Sequence, residues 1–564
     1  MMSKRGKEKW ISLALTASSI TLWFISLFQS RLVIGHFGLI HSFTPTYYLS
    51  FILLFIAFCV LYPWNKYQML LFSQSILLIA FLWLSPLFIG GSQPVLAHVY
   101  SFWGNIDLLV SHAHLSEDIC WYHAWPGSWI LYSALIVLTG IENADIIIAV
   151  MPFLWQLLSL PFLCLLMKKI SEGKEVGYYW VGVWLFFLGN WVGQSYLSPQ
   201  SFAYLLYLLI LYVLLIQMNK TRGRGCFNIY LLFTILSISI VITHVVTSLL
   251  LLGIIFMLSF KKGIGAVPLV LLMIVLITWN FYGTLMAFPR WGPQFFSNIF
   301  NIEFILFQSF FERFQGNSSR LVVIRVRFVT TLIVAFIGLI GYFFSFIKEK
   351  RLHVTTLKVF IGLTLVTLIF GPGIGFEIPY RVYYFSLPLL AYFGSNLLKW
   401  KVINTILVIL LLVLFPLHLI SHYGNQIVDH QSKADITAVK FFHNTVEEGI
   451  IAGATPSWIG EFSSARPFGL YKNVGKYVLL KYEDFIWEKG IVYRYIRPPP
   501  PSYGSTLYIP FGIRDRNLYD FIYNNTQAYY KINHILNNST SIDLVYNNRD
   551  ISLYISEISH KAMS

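Results

Sequence analysis

Apolar stretches long enough to cross a bilayer recur from Ile11 to Ser421, and the short loops between them sort into two kinds by their lysine content. One kind carries Lys4, Lys7 and Lys9; Lys66; Lys168 and Lys169; Lys220, Arg222 and Arg224; Lys261 and Lys262; Lys348, Lys350 and Arg351; Lys399 and Lys401. The other kind carries no lysine, yet it holds acids, histidines, tryptophans and glutamines. A backbone in hydrocarbon must satisfy its own hydrogen bonds, so stretches of this kind cross as helices. The positive-inside rule then places the lysine loops in the cytoplasm. Any chemistry belongs on the opposite face.

Composition agrees. Hydrophobic residues make up 57% of the 564 residues and charged residues 12%, with a mean hydropathy of +0.66; a soluble domain carries about 25% charged residues. The net charge of +15 would suggest nucleic acid in a soluble chain. Here topogenic lysines facing anionic inner-leaflet lipid account for it. Cys59, Cys164 and Cys226 lie in or beside apolar spans and Cys120 is alone on the outer side, so no disulfide framework is implied. The run from Ile11 to Gln29 follows basic residues, is too long for a signal-peptide core and lacks a small-residue cleavage site, which predicts a retained helix.

At about 20 apolar residues per crossing, spans are expected near 11–29, 46–63, 67–89, 145–167, 177–193, 200–218, 227–243, 245–260, 265–287, 328–347, 354–371, 381–398 and 402–421. The expected fold is an all-α polytopic membrane bundle of about 13 transmembrane helices over residues 1–423, with an outer loop at 91–144. The segment Pro126–Gly140 does not fit as a crossing, because counting it would move every later lysine loop outside. It is expected at the outer interface as a partial helix, with Pro126 in its first turn and Gly140 at its end.

After Ser421 the long apolar runs stop, and residues 424–564 read as a small extracytoplasmic α/β domain. Ser432-Lys433-Ala434-Asp435 resembles a capping box, extended stretches are expected at Ile450–Ala454, Thr506–Pro510, Ile542–Tyr546 and Ile551–Ile555, and Pro498–Pro501 is a stiff polyproline insert. The N-terminus is expected inside and the C-terminus outside.

The first long outer loop, Gly91–Trp125, has no lysine or arginine, three acids (Asp107, Glu117, Asp118) and four histidines (His98, His112, His114, His123). Between Ala97 and Val110 its pattern is amphipathic at helical spacing, so Asp107 is expected to project from a helix on the membrane surface, where a carboxylate serves as a general base or simply keeps the helix wet. His112, His114, Glu117 and Asp118 offer a divalent-metal alternative, but their spacing lacks the regularity of zinc sites and a hard cation would want mostly oxygen ligands, so exposed or capping histidines are the favoured reading. Two further outer loops carry polar groups. Gln194-Ser195-Tyr196-Leu197-Ser198-Pro199-Gln200 presents neutral donors and acceptors at the bilayer edge, which is costly unless they are used. Glu377-Ile378-Pro379-Tyr380-Arg381 places an arginine at the mouth of a helix, either clamping a phosphate or pairing with Glu377. The outer loop Phe288–Arg327 has only arginines as bases, at 290, 313, 320, 325 and 327.

Taken in order, these features resemble the GT-C superfamily of integral membrane glycosyltransferases that use polyprenyl-phosphate sugars. The resemblance covers roughly 67–460. It rests on the acidic first loop, Trp125-Pro126-Gly127 opening a non-crossing helix, the Ser198-Pro199-Gln200 motif, Glu377-Ile378-Pro379-Tyr380-Arg381-Val382-Tyr383 before a helix, and a C-terminal outer domain. The Ser-Pro-Gln and Glu-Ile-Pro-Tyr-Arg motifs are similar to those of uncharacterised prokaryotic members. The resemblance implies that an acid of the first outer loop deprotonates the acceptor while basic and polar groups stabilise the departing lipid phosphate. Carried over, Asp107 is the first choice of base, with Asp118 and Glu117 behind it. Arg381 is the choice for phosphate, and Glu377, Gln194, Tyr196, Gln200, His98, His123 and His244 are candidate substrate contacts.

The sequence departs from the family where an acid often follows the preceding span, for it reads Pro94-Val95-Leu96-Ala97-His98 there. The Trp-Trp-Asp-Tyr-Gly motif associated with the oligosaccharyltransferase branch is absent. A polyprenyl-phosphate sugar, membrane lipid and a glycan, lipid or protein acceptor are the implied partners. A transporter or flippase of lipid-linked sugars, or a noncatalytic membrane scaffold, is the alternative.

Overall fold

The computed structural model describes residues 4–90, 99–113, 115, 121–141, 144–171, 178–192, 195–217, 224–260, 265–284, 293, 316–345, 350–374, 378–399 and 401–430, and then 434, 437–438, 441, 449–453, 477–481, 485–488, 491–494, 506–521, 526–538, 542–547 and 551–557. The chain divides into two compact units: Met1–Ser92 with Val150–Arg313 and Val322–Gly424, and Gln93–Ala149 with Phe314–Leu321 and Asn425–Ser564.

The helices of the first part of the chain are α1 (Lys4–Gln29), α2 (Pro45–Leu61), α3 (Gln68–Ile79), α4 (Ser85–Gly90), α5 (Val99–His112), α6 (Gly127–Thr139), α7 (Ala144–Ile170), α8 (Tyr178–Gly189), α9 (Pro199–Gln217), α10 (Arg224–Thr243), α11 (Val245–Ser259) and α12 (Val267–Thr278). They continue as α13 (Ser318–Ser345), α14 (Lys350–Ile374), α15 (Ile378–Asn396), α16 (Lys401–Tyr423) and α17 (Gln426–Asp429). Each apolar stretch expected to cross is helical over most of its length. Among the described residues, six helical segments are long and apolar enough to span a membrane: Lys7–Gln29, Gln68–Ile89, Asp145–Ile170, Pro199–Ile216, Ser318–Phe344 and Asn404–Val428. The remaining apolar helices, such as Pro45–Leu61 and Val245–Ser259, are shorter.

Burial explains the order of the first unit. From Tyr179 to Gly189, α8 is buried at every position, as expected of a helix that is apolar all round and sits at a bundle centre. Helices α10, α12 and α13 instead present large apolar side chains outward, with Phe227 70%, Ile274 56% and Phe336 66% exposed. Faces of that kind aggregate in water and are stable against lipid. Where helices touch, glycine allows it: a Cβ on Gly253 or Gly362 would run into the other's backbone, and one on Gly341 into the Phe393 carbonyl. Small residues let helices approach this closely without a hydrophobic driving force. Gly362→Leu is expected to destabilise the unit by about 3 kcal/mol, at the upper end of overpacking costs, read as a lowered melting temperature in detergent.

Among the backbone irregularities of this unit, two have carbonyls that tyrosines serve. Pro388 lies inside α15 and has no N–H to give the Tyr384 carbonyl, while its ring also crowds the preceding turn. Tyrosines of α9 replace the lost bond: Tyr204 Oη donates to the Tyr384 carbonyl at 3.2 Å and Tyr207 Oη to that of Phe385 at 2.7 Å. Residue numbers rise together along both helices, so α9 and α15 run in parallel. The second irregularity is a π-helical step at Ala80–Leu84 between α3 and α4. There Tyr47 Oη donates to the Phe81 carbonyl at 2.7 Å and Tyr423 Oη to that of Leu82, and π steps of this kind concentrate at functional sites.

In the second unit, α6 begins just after Pro126 and ends at Gly140, whose φ of +66° is left-handed and whose N–H closes on the Ile136 carbonyl. Glycine enters that conformation without a Cβ penalty. At about 20 Å long, α6 is shorter than a crossing, and it leaves Val137 69% and Leu138 85% exposed.

Further along lie β1 (Gly449–Gly453), β2 (Tyr477–Lys481), β3 (Phe485–Glu488), β4 (Ile491–Arg494), β5 (Thr506–Gly512), α18 (Ile513–Phe521), α19 (Thr526–Asn538), β6 (Ile542–Asn547) and β7 (Ile551–Glu557). One sheet has the order β2-β1-β5-β7-β6, parallel across β2, β1 and β5 and antiparallel across β5, β7 and β6. Strands β3 and β4 form a separate antiparallel pair, with Glu488 opposite Ile491. The cap residues Ser432, Lys433 and Asp435 and the polyproline insert lie outside the described residues.

Candidate functional site

Three helices of the first unit, α9, α11 and α15, begin at lysine-free loops, and each start is chemically marked. Ser198 precedes Pro199, the first residue of α9; its Oγ accepts the Ser201 N–H at 3.3 Å and pairs with Ser201 Oγ at 2.9 Å, while Ser201 Oγ donates to the Tyr196 carbonyl. A serine cap followed by proline suits a helix start, because proline lacks an N–H that would go unused there. Gln200, in the first turn, is buried, and its amide nitrogen has no hydrogen-bond partner among the described residues.

His244 caps α11. Its backbone is extended, and its Nδ1 accepts the Thr247 N–H at 3.2 Å and pairs with Thr247 Oγ1 at 2.8 Å. A nitrogen that accepts a backbone N–H carries no proton, so the neutral ring bears its hydrogen on Nε2. Burial holds this imidazole well below its ordinary range, and the Arg381 guanidinium lowers it further. Arg381 itself stands in the first turn of α15, half-buried. Its influence on His244 puts the start of α15 within electrostatic reach of that of α11, and the Tyr204 and Tyr384 rings, stacked at 3.9 Å one turn further in, bring α9 alongside α15.

The set is one of donors. Three helix N-termini carry partial positive charge, and to them are added a guanidinium, a neutral imidazole N–H and a primary amide. Such a set is suited to an anion.

Next to Arg381, Tyr380 meets the Trp191 ring edge-on at 5.1 Å. Arg327 lies 5.4 Å from the same indole and donates from Nε to the Ser421 carbonyl at 2.7 Å. Trp191 Nε1 donates to Thr331 Oγ1 at 3.1 Å. One turn apart on α16, His418 and His422 each direct Nδ1 at a carbonyl beyond or at the end of α8, Leu188 and Trp191, both at 3.1 Å. Trp83, in the π-helical step, packs edge-on against His418 at 5.2 Å.

Of the residues singled out in the sequence, Arg381, His244, Gln200 and Tyr196 lie at these helix starts; Trp83, Trp191, His418 and His422, which pack next to one another, were not singled out. The spacing of His418 and His422, four apart in an apolar run, was a usable signal, since intramembrane ionisable residues are functional by default. Trp83 and Trp191 carried none.

The second unit holds Asp107 on α5, half-exposed. Asn105 is fully buried two residues earlier, and its Oδ1 lies 2.8 Å from Nε2 of the buried His123, tying the short turn Trp121–Ala124 to α5. Phe102 stacks on Trp129 of α6 at 5.6 Å. Two residues turn a helix by about 200°, so a helix anchored through Asn105 turns Asp107 away from that anchor. His98, Glu117, Asp118, Gln194 and Glu377 lie outside the described residues, as does His114, and of His112 only the backbone is described. Among the described residues no group of three or more His, Cys, Asp or Glu is placed to hold a metal ion.

No protein-family profile matches the chain, and no curated protein matches it. Among solved structures it is similar to the Archaeoglobus fulgidus oligosaccharyltransferase in complex with Zn and sulfate, at 12% identity and a TM-score of 0.44 over 70% of this chain and 61% of that one. It is also similar to the same enzyme tethered to an acceptor peptide containing the NVT sequon, at 10% identity and a TM-score of 0.43 over 71% of this chain and 63% of that one. The chain thus spans less than two thirds of the length of these proteins, and a likeness of this grade carries no argument about its activity.

Proposed function

We propose that this chain is a membrane glycosyltransferase that moves a sugar from a polyprenyl-phosphate donor to an acceptor on the face opposite the lysine loops. The reading is supported by His244, whose Nδ1 caps α11 and leaves its hydrogen on Nε2, standing within electrostatic reach of Arg381 in the first turn of α15, a donor set suited to a phosphate. Residues 1–423 form the membrane part in this reading, and residues 424–564 an extracytoplasmic domain.

The reaction follows from the roles. Asp107 takes the proton of an acceptor hydroxyl, and the hydroxyl oxygen forms its bond to the anomeric carbon as the bond from that carbon to the phosphate oxygen breaks. The leaving phosphate keeps the electron pair. Arg381, the helix N-termini of α9, α11 and α15, and the His244 Nε2–H stabilise that charge where water is scarce. Gln200 and Tyr196 are suited to the sugar hydroxyls. A divalent ion on the His112–Asp118 segment is not needed for this charge balance.

Transfer of a radiolabelled sugar from its polyprenyl phosphate by the purified chain tests the proposal. Movement of the intact lipid-linked sugar across the membrane without transfer identifies a flippase instead. Sidedness has its own test. In intact cells, Ser432→Cys is expected to react with a membrane-impermeant thiol reagent and Ser171→Cys to remain unlabelled. The reverse pattern would put the proposed site on the wrong face.

A further inference from the structure

Gln200 stands where a primary amide is costly. It lies in the first turn of α9, is 3% exposed, and its Nε2 has no hydrogen-bond partner among the described residues. A buried N–H left without an acceptor destabilises the fold, and a primary amide nitrogen carries two. An apolar side chain of the same length would fill the space without that cost, so packing does not account for the amide. Helical side chains lean toward the N-terminus of their own helix, which carries this amide toward the mouth of α9. Pro199 has no N–H there, and Ser198 Oγ already takes the Ser201 N–H, so the Gln200 side chain adds a neutral donor where backbone donors are few. Deeper along α9, Phe202 meets Trp155 of α7 at 6.1 Å and Tyr204 stacks on Tyr384 of α15 at 3.9 Å.

We propose that Gln200 selects the donor sugar: its Nε2 donates to one hydroxyl oxygen of a hexose, while Arg381 and His244, on α15 and α11, serve the phosphate. This rests on the reading of the site as one for a polyprenyl-phosphate sugar, and adds to it the residue that decides which sugar is accepted. The division of roles follows from charge. A guanidinium offers a phosphate a full positive charge and paired donors, whereas a primary amide adds no charge and is matched to a neutral oxygen. Because the amide is already out of water, a hydroxyl that reaches it forms its bond without further desolvation of the amide. A sugar lacking that hydroxyl leaves the amide unpaired. Sites built to hydrogen-bond a substrate hydroxyl discriminate steeply against the deoxy analogue for this reason.

The purified full chain in detergent is titrated with undecaprenyl phosphate, with its glucose, galactose and mannose conjugates, and with the monodeoxy analogues of each hexose. Wild type is expected to bind one hexose conjugate about 100-fold tighter than one of its monodeoxy analogues. Gln200→Met is expected to bind those two alike and undecaprenyl phosphate as wild type does, and to keep or raise the melting temperature, since a buried unpaired donor is gone. Gln200→Leu carries the same comparison should the methionine variant fail to fold. Equal binding of every hexose conjugate and its deoxy analogues by wild type, an unchanged ranking in Gln200→Met, or weakened binding of undecaprenyl phosphate itself by that variant overturns the proposal. So does a lowered melting temperature with all ligands weakened alike, the mark of a structural amide. Arg381→Ala separates this failure from that of the broader reading. If it weakens undecaprenyl phosphate while Gln200→Met leaves the sugar ranking intact, the sugar role of Gln200 alone fails; if wild type binds no polyprenyl phosphate, both fail.

Discussion

Asp107→Asn is expected to lower sugar transfer by about 10²- to 10⁴-fold, the usual contribution of a positioned general base. The amide keeps the shape of the carboxylate but cannot take the acceptor proton. Because Asp107 is half-exposed on a helix whose packing runs through Asn105, Phe102 and Ile106, the substitution leaves the core of the segment untouched. Expression, melting temperature and donor binding should therefore stay at wild-type values, and the comparison of initial rates on purified protein isolates the chemistry. Full activity in this variant moves the base to Asp118 or Glu117. Full activity in all three single variants removes the base from this loop and favours the flippase or scaffold readings.

Arg381→Ala is expected to weaken binding of a polyprenyl phosphate by about 2 kcal/mol, roughly 30-fold, since a charge-assisted hydrogen-bond partner is lost in a half-buried setting. Arg381→Lys should weaken it less, because the charge remains and the two-pronged fork is lost. A structural pairing of Arg381 with Glu377 makes a different forecast: Glu377→Gln and Arg381→Ala would then lower the melting temperature together and leave phosphate affinity unchanged. His244 sharpens the test. Its imidazole is held below its ordinary range first by burial and then by Arg381, so removing the guanidinium should move its titration upward. An NMR titration of the ring reports that change independently of any ligand.

The helices were legible because a bilayer imposes a minimum apolar length, and the apolar stretch of α8 or α9 announces itself in one dimension. Arg381, His244 and Gln200 were legible for the related reason that polar groups at a helix mouth beside lipid stand out from their surroundings. The contacts that organise them were not. Arg327 meets Trp191 and Tyr204 meets Tyr384 across more than a hundred residues of sequence, and neither pair leaves a local period to read. The strands β1, β5, β6 and β7 fell where runs of β-branched and aromatic residues predicted them. The stretches at β2, β3 and β4 were passed over, since four or five residues give too short a window for alternation to separate from chance.

The π-helical step at Ala80–Leu84 also bears on how this protein tolerates changes in chain length. A π turn holds one residue more than an α turn, so the helix on either side is offset in phase by about 100° relative to an uninterrupted one. Two phenols, from Tyr47 and Tyr423, occupy the carbonyls that the wider turn exposes, which fixes the offset in place. Deleting a single residue within the step would let an ordinary α-turn close with α4 still in phase, at the cost of the carbonyls that the two phenols serve, whereas deleting one from α3 would turn the step and α4 by about 100°. The step is therefore the point in this helix where a change of one residue in length is most readily absorbed.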